Sequence, residues 1–202
     1  MKLKIWLALA LIMVCCALPA VAQEPQKQQE MSPEQKAMMD AWQKFMTPSE
    51  GHKALEQMVG TFDTKVTMWM QPGAPPQTST GISENHWVLG KRYVEENATG
   101  TFMGMLFQGI GHMGYDNAKK RYFGTWIDNF GTGVMTSTGT VSDNGKTWNF
   151  KSTSTDPMTG KDTPGETRVT VTDADHHTME MWGPGPDGKT YKMMEINYTR
   201  KK

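Results

Sequence analysis

From Thr61 onward the hydrophobic pattern has a period of two. Phe62, Val66, Met68 and Met70 alternate with Asp63, Lys65 and Thr67, as in a strand whose successive side chains point to opposite faces and whose one face is buried. Turn-forming clusters interrupt the alternation at Pro72-Gly73, Gly90-Lys91, Asp116-Asn117, Asn144-Gly145, Asp156 to Gly160, Asp173-Ala174-Asp175 and Pro184 to Gly188. Between them the pattern predicts strands near 61–70, 78–89, 91–99, 104–115, 120–128, 132–141, 146–155, 163–172, 176–182 and 190–200. Short connections make sequence neighbours antiparallel neighbours in space. About ten hairpin-linked strands without βαβ spacing must close on themselves or split into two packed sheets, and closure leaves no open edge. The expected fold is therefore mostly β, a single antiparallel up-and-down β-barrel over residues 60–202. Gly109, Gly111 and Gly114, with Gly131 and Gly133, fit places where a strand bends at a barrel corner.

Upstream of Thr61 the period is helical. Ser32-Pro33-Glu34-Gln35 combines an N-cap, a proline at the first helical position and a capping box, and Met38, Trp42, Phe45 and Met46 then share one face. A second start at Thr47-Pro48-Ser49-Glu50 leads through Leu55, Met58 and Val59 to a stop at Gly60. Residues 32–59 thus predict two short α-helices, and the polar, glutamine-rich stretch 23–31 a flexible lead. Residues 1–22 have the form of a secretory signal peptide: Lys2 and Lys4, an apolar run from Ile5 to Leu18, and a cleavage site at Ala20-Val21-Ala22. This predicts an exported protein, periplasmic or secreted, without a membrane span in its mature chain. Val14 and Cys15 precede Cys15 and Cys16, where a lipidated cysteine needs a small neighbour, so lipidation is not expected.

Cleavage also removes both cysteines, so stability rests on packing without a disulfide. With Lys2 and Lys4 gone, 19 basic residues face 21 acidic ones, interspersed along the chain, which argues against nucleic acid as a partner. Gly183-Pro184-Gly185-Pro186-Asp187-Gly188-Lys189-Thr190 spells a P-loop, but two prolines lack the N–H donors a phosphate cradle needs and a strand follows instead of a helix. A hairpin turn is the better reading.

Methionine is the unusual component, with 16 of 18 in the mature chain. Met68 and Met70, Met103 and Met105, and Met179 and Met181 each place two thioethers on one strand face, and His177 shares the face of the last pair. Such a surface suits Cu(I) binding, or an adaptable greasy interior. No nucleophile elbow or zinc helix is present. The remaining polar candidates are Glu84 and His86, on one face with Ile82 and Val88, and Glu195. Trp126 and Asp128 sit where a barrel mouth would be lined, His112 and His176 are expected to be exposed, and Asp116 and Asn117 read as turn formers.

Several stretches carry a family resemblance: His52-x-x-Leu55 leading into Gly60-x-Phe62, Phe107-x-Gly109-x-Gly111-x-x-Gly114-Tyr115-Asp116-Asn117, Tyr122 with Trp126-x-Asp128, Asp156-Pro157-x-Thr159-Gly160-Lys161, and Glu195 to Lys201. Together they resemble the bacterial family called domain of unknown function 1579, over roughly residues 50–202. More distantly, Gly60-x-Phe62 and Arg200 look like the signature of lipocalin-like barrels, with Phe62 standing where tryptophan is usual. That resemblance implies a cation–π closure of Phe62 against Arg200 and a ligand-holding interior. The leading expectation is a lipocalin-like barrel that binds a small apolar or amphipathic molecule through Glu84, His86, Trp126, Asp128, Met179, Met181 and Glu195. The alternatives are a methionine-rich copper-binding or redox-buffering envelope protein and a small enzyme built on Glu84, His86 and Glu195. No cofactor and no oligomeric state follow from the sequence.

Overall fold

The computed structural model describes residues 31–142 and 144–202, so the signal peptide at 1–22 and residues 23–30 of the lead lie outside the described residues. A helix α1 (Pro33–Met46) comes first, then a single helical turn α2 (Glu50–Lys53) that tightens into a 3-10 segment (Ala54–Met58). Ten strands follow: β1 (Gly60–Met68), β2 (Gln77–Val88), β3 (Tyr93–Phe102), β4 (Met105–Asp116), β5 (Arg121–Asp128), β6 (Met135–Val141), β7 (Thr147–Thr155), β8 (Asp162–Val171), β9 (His176–Pro184) and β10 (Thr190–Arg200). Each pairs antiparallel with its sequence neighbour, and β1 pairs with β10 to close the barrel.

The pattern held for every strand, with ends shifted by a few residues. β1 stops at Met68, and Met70, expected inside, lies beyond it and is exposed. β3 begins at Tyr93 because Leu89, Gly90 and Lys91 all take positive φ in the turn before it.

One end of the barrel is plugged. The 3-10 segment sets Leu55 and Met58 onto Val94, Tyr122, Trp148, Phe150, Val169 and Val171, and this cluster is the apolar core. Trp148 is fully buried and its ring meets Tyr122 edge-on at 4.6 Å. The expected second α-helix is thus mostly a 3-10 turn, short because Gly60, at φ 139°, must start β1 immediately after it.

Helix α1 has the capping box foreseen for it: Ser32 Oγ accepts from Gln35 N–H and Gln35 Oε1 accepts from Ser32 N–H. Its C-terminal end is tied to the barrel. Asn117 Nδ2 donates to the Lys44 and Thr47 carbonyls at 2.9 and 2.8 Å, and Arg92 Nη2 donates to the Met46 carbonyl at 2.6 Å. Asn117 therefore does more than form a turn. The apolar face of α1 is left open among the described residues, with Met38, Trp42, Phe45 and Met46 all about half exposed.

Candidate functional site

Above the plug, toward the ends of β1 near Met68 and of β4 near Met105, the barrel holds a cavity of about 510 Å3. That volume is in the range of small-ligand sites. Its wall follows from alternation. β1 turns Thr64, Val66 and Met68 inward, β10 turns Met194, Ile196 and Tyr198 inward, and β9 adds His177, Met179 and Met181. Val66, Ile196 and Met179 form one cross-strand row, and Met68, Met194 and Met181 the next one outward. Among the described residues seven methionines line the cavity: Met58, Met68, Met113, Met135, Met179, Met181 and Met194.

The opposite wall is aromatic. Trp126 lies across Gly109 and Gly111 so closely that a Cβ on Gly109 would sit 2.2 Å from the ring. These two glycines are flat seats for an indole rather than bends. The stack continues through Phe107, whose ring centroid is 6.3 Å from Trp126 and 5.8 Å from Phe130. Asp128 holds the corner, accepting from Trp126 Nε1–H and Phe130 N–H, both at 2.9 Å. Exposed Met70, Met103, Leu106 and Met158 belong to the strand ends and loops around this mouth.

The floor is polar and was not foreseen. β2 faces inward with Gly81, Ser83 and Asn85, and β3 with Val94, Glu96 and Ala98. Ser83 is fully buried, with its Oγ 2.7 Å from both Glu96 Oε1 and Asn85 Oδ1. Asn85 Nδ2 donates to the Met58 carbonyl at 2.9 Å, which fixes the amide orientation. The Tyr198 hydroxyl hydrogen-bonds Glu96, and burial pushes both the Glu96 carboxyl and the Tyr198 phenol up. Glu96 keeps a partly accessible surface despite being enclosed by the barrel, because that surface is cavity wall. His177 stacks on Tyr198 at 4.2 Å and meets Phe62 edge-on at 4.8 Å. Burial, and next the Arg200 charge, lower His177 to about 4.

Glu84 and His86 require correction. Both point away from the cavity, and His86 lies 3.6 Å from Glu95 on the outer face, where His112 also contacts Glu95 at 3.1 Å. The inward face of β2 is the more polar one, carrying Ser83 and Asn85, and Glu84 and His86 share the outer parity of Ile82 and Val88. Glu195 is likewise outside: its Oε2 pairs with Lys192 Nζ at 2.6 Å, and Lys192 also reaches Glu180 at 3.2 Å and lies over the Trp69 ring. The enzyme constellation of Glu84, His86 and Glu195 is therefore not assembled. Met103 and Met105 are exposed, so that pair faces no cavity. Trp126, Asp128, Met179 and Met181 do line the cavity. Glu96 had a readable signal, since it shares parity with Val94 and Ala98 while Glu95 and Asn97 do not.

Phe62 and Arg200 are direct cross-strand partners, with the guanidinium carbon 4.6 Å from the ring centroid. Among the described residues no helix is long and apolar enough to cross a membrane, and no group of three or more His, Cys, Asp or Glu could hold a metal ion.

Comparison with curated proteins finds no match. Among solved structures, Rv2717c from M. tuberculosis is similar at a TM-score of 0.57 and 12% identity, covering 77% of this chain and 100% of its own. Two redesigned β-barrels are similar at TM-scores of 0.40 and 0.39, with 15% and 18% identity; they cover 74% and 75% of this chain and 96% and 100% of their own. The second is bound to DFHBI. The first likeness shows the fold alone. The family model described as protein of unknown function, DUF1579, matches residues 47–200. Since that span is most of the chain, this protein belongs to the DUF1579 family.

Proposed function

We propose that this protein is an exported binding barrel that holds one small apolar or amphipathic molecule. The observation that carries the reading is the cavity of about 510 Å3, plugged at one end and walled by methionines and the Phe107–Trp126–Phe130 stack. Unbranched thioethers adapt to irregular apolar shapes, and a stacked aromatic wall offers a flat face to a ring or chain. Phenylnaphthylamine, a neutral apolar fluorophore, is expected to brighten on binding. Ala98→Phe, which places a ring in the cavity, should abolish that signal with little change in the unfolding midpoint. Equal binding by the variant would remove the cavity as the site.

A second reading is favoured by the row of Met68, Met194 and Met181 on three adjacent strands, which offers three soft ligands to Cu(I). Native mass spectrometry of protein from its own host separates the two: a retained organic mass supports the first, a retained copper mass the second.

Export is part of the proposal and rests on the signal-like segment of residues 1–22. N-terminal sequencing of the exported form should begin at Gln23. A chain that starts at a lipid-modified Cys15 or Cys16 would overturn the cleavage site and make the protein membrane-anchored.

A further inference from the structure

The floor of the cavity has a proton inventory that specifies the ligand's polar end. The Ser83 hydroxyl owns one hydrogen yet stands 2.7 Å from two oxygens, Asn85 Oδ1 and Glu96 Oε1. Asn85 Oδ1 can only accept, because its amide is held with Nδ2 toward the Met58 carbonyl. If Ser83 donates to Asn85, the contact with Glu96 is a hydrogen bond only when Glu96 carries a proton on Oε1. An ionised carboxylate would set Ser83 between two acceptors and leave one short contact without a hydrogen. The enclosure of Glu96, which favours its uncharged form, agrees with this count. Among the described residues neither lysine nor arginine lines the cavity to offset a charge there.

We propose that Glu96 is a neutral carboxylic acid whose remaining acceptor capacity seats an uncharged hydrogen-bond donor, a hydroxyl, at the inner end of an otherwise apolar ligand. This rests on the ligand-binding reading above and adds the chemistry of the head group. With its proton given to Ser83, Glu96 retains a carbonyl-type oxygen that accepts from Tyr198 and has a second lone pair. His177, stacked on Tyr198 and lining the same floor, is uncharged and brings one donor and one acceptor. A hydroxyl, itself donor and acceptor, matches both. A carboxylate head would be buried without a counter-charge. An ammonium head would favour the ionised carboxylate, sending the Glu96 proton to solvent and leaving Ser83 short of one hydrogen.

The test uses three probes with the same chain, 1-decanol, decanoate and decylammonium, titrated calorimetrically into the protein at neutral pH. Decanol is expected to bind on the order of tenfold more tightly than either ion, the scale of one hydrogen bond or one poorly compensated buried charge. Glu96→Gln keeps an acceptor for Tyr198 and a donor for Ser83, so it should retain decanol binding within about twofold. Glu96→Leu lacks both and should lose about tenfold. Independently of any ligand, the infrared difference between the parent and Glu96→Gln should contain the C=O stretch of a protonated carboxyl. A carboxylate band there, or tighter binding of decylammonium that Glu96→Gln removes, would overturn the neutral acid. Equal binding of all three probes would overturn head-group selection while leaving the cavity reading intact. Absence of binding by all three, with the protonated band present, would sink the cavity reading and the head-group assignment with it.

Discussion

Replacing Arg200 with methionine is expected to lower the unfolding free energy by about 3 kcal/mol, the largest loss from any single side chain at the barrel seam. Nη1 donates to the Val59 carbonyl at 2.7 Å and Nε donates to the Ala174 carbonyl at 3.0 Å. The planar face lies on Phe62, and Asp175 stands 3.6 Å away. One guanidinium thus ties the end of the 3-10 plug, the β8–β9 turn and the closing strand pair. The part-buried hydrogen bond to the Val59 carbonyl and the cation–π contact, with the exposed bond to Ala174 added, account for the size of the effect. Methionine keeps much of the aliphatic stem and isolates the head group. Urea unfolding should show a lower midpoint at an unchanged m-value. Gly60 belongs to the same unit, since a Cβ there would lie 2.0 Å from Nη1. Gly60→Ala should therefore destabilise the parent strongly and the Arg200→Met protein less, a non-additivity that independent sites would not show. A loss under about 1 kcal/mol, within the range of an exposed contact, would mean that closure is carried elsewhere.

The barrel was legible because turn chemistry and a period of two agree along the chain; Phe62 and Arg200 even marked the strands that close it. The cavity wall was half legible. Parity alone marks Met179 and Met181 as inward, whereas the alternation at Met70 runs on past the end of β1, just before Pro72-Gly73 turns the chain away. Glu96 was legible by its parity with Val94 and Ala98, but the Ser83 and Asn85 part of the floor was illegible for one physical reason. Assigning faces by apolar content presumes a dry interior, and β2 turns Ser83 and Asn85 inward to complete the hydrogen-bond chain of Glu96, leaving Ile82 on the other face. Burying such groups costs little when each finds a partner, so a polar inner face is stable yet reads as an outer one. Glycine misled in a related way: Gly109 and Gly111 mark the footprint of Trp126, which is set by a neighbouring strand and is invisible to a local reading.

Acidification should destabilise the protein through His177. In the unfolded chain this imidazole takes a proton near 6.5, whereas in the barrel burial and the adjacent Arg200 charge hold it to about 4. Well above pH 6.5 the ring is neutral in both states and contributes no pH dependence. As the pH falls from there toward about 4, the unfolded chain binds a proton that the folded one refuses, and stability drops by about 1.4 kcal/mol per unit, about 3 kcal/mol in all. Glu96 acts with the opposite sign, since a carboxyl raised by burial loses stability as the pH rises past its ordinary range. The two must be separated by difference. His177→Phe retains a ring between Tyr198 and Phe62 but cannot be protonated, and every other titrating group is common to both proteins. The stability of the parent minus that of His177→Phe, measured by urea unfolding across this range, should therefore be level well above pH 6.5 and fall by about 3 kcal/mol toward pH 4. A level difference across the whole range would show that His177 gains its proton as readily in the barrel as outside it, and the sealed floor beneath the cavity would have to be given up.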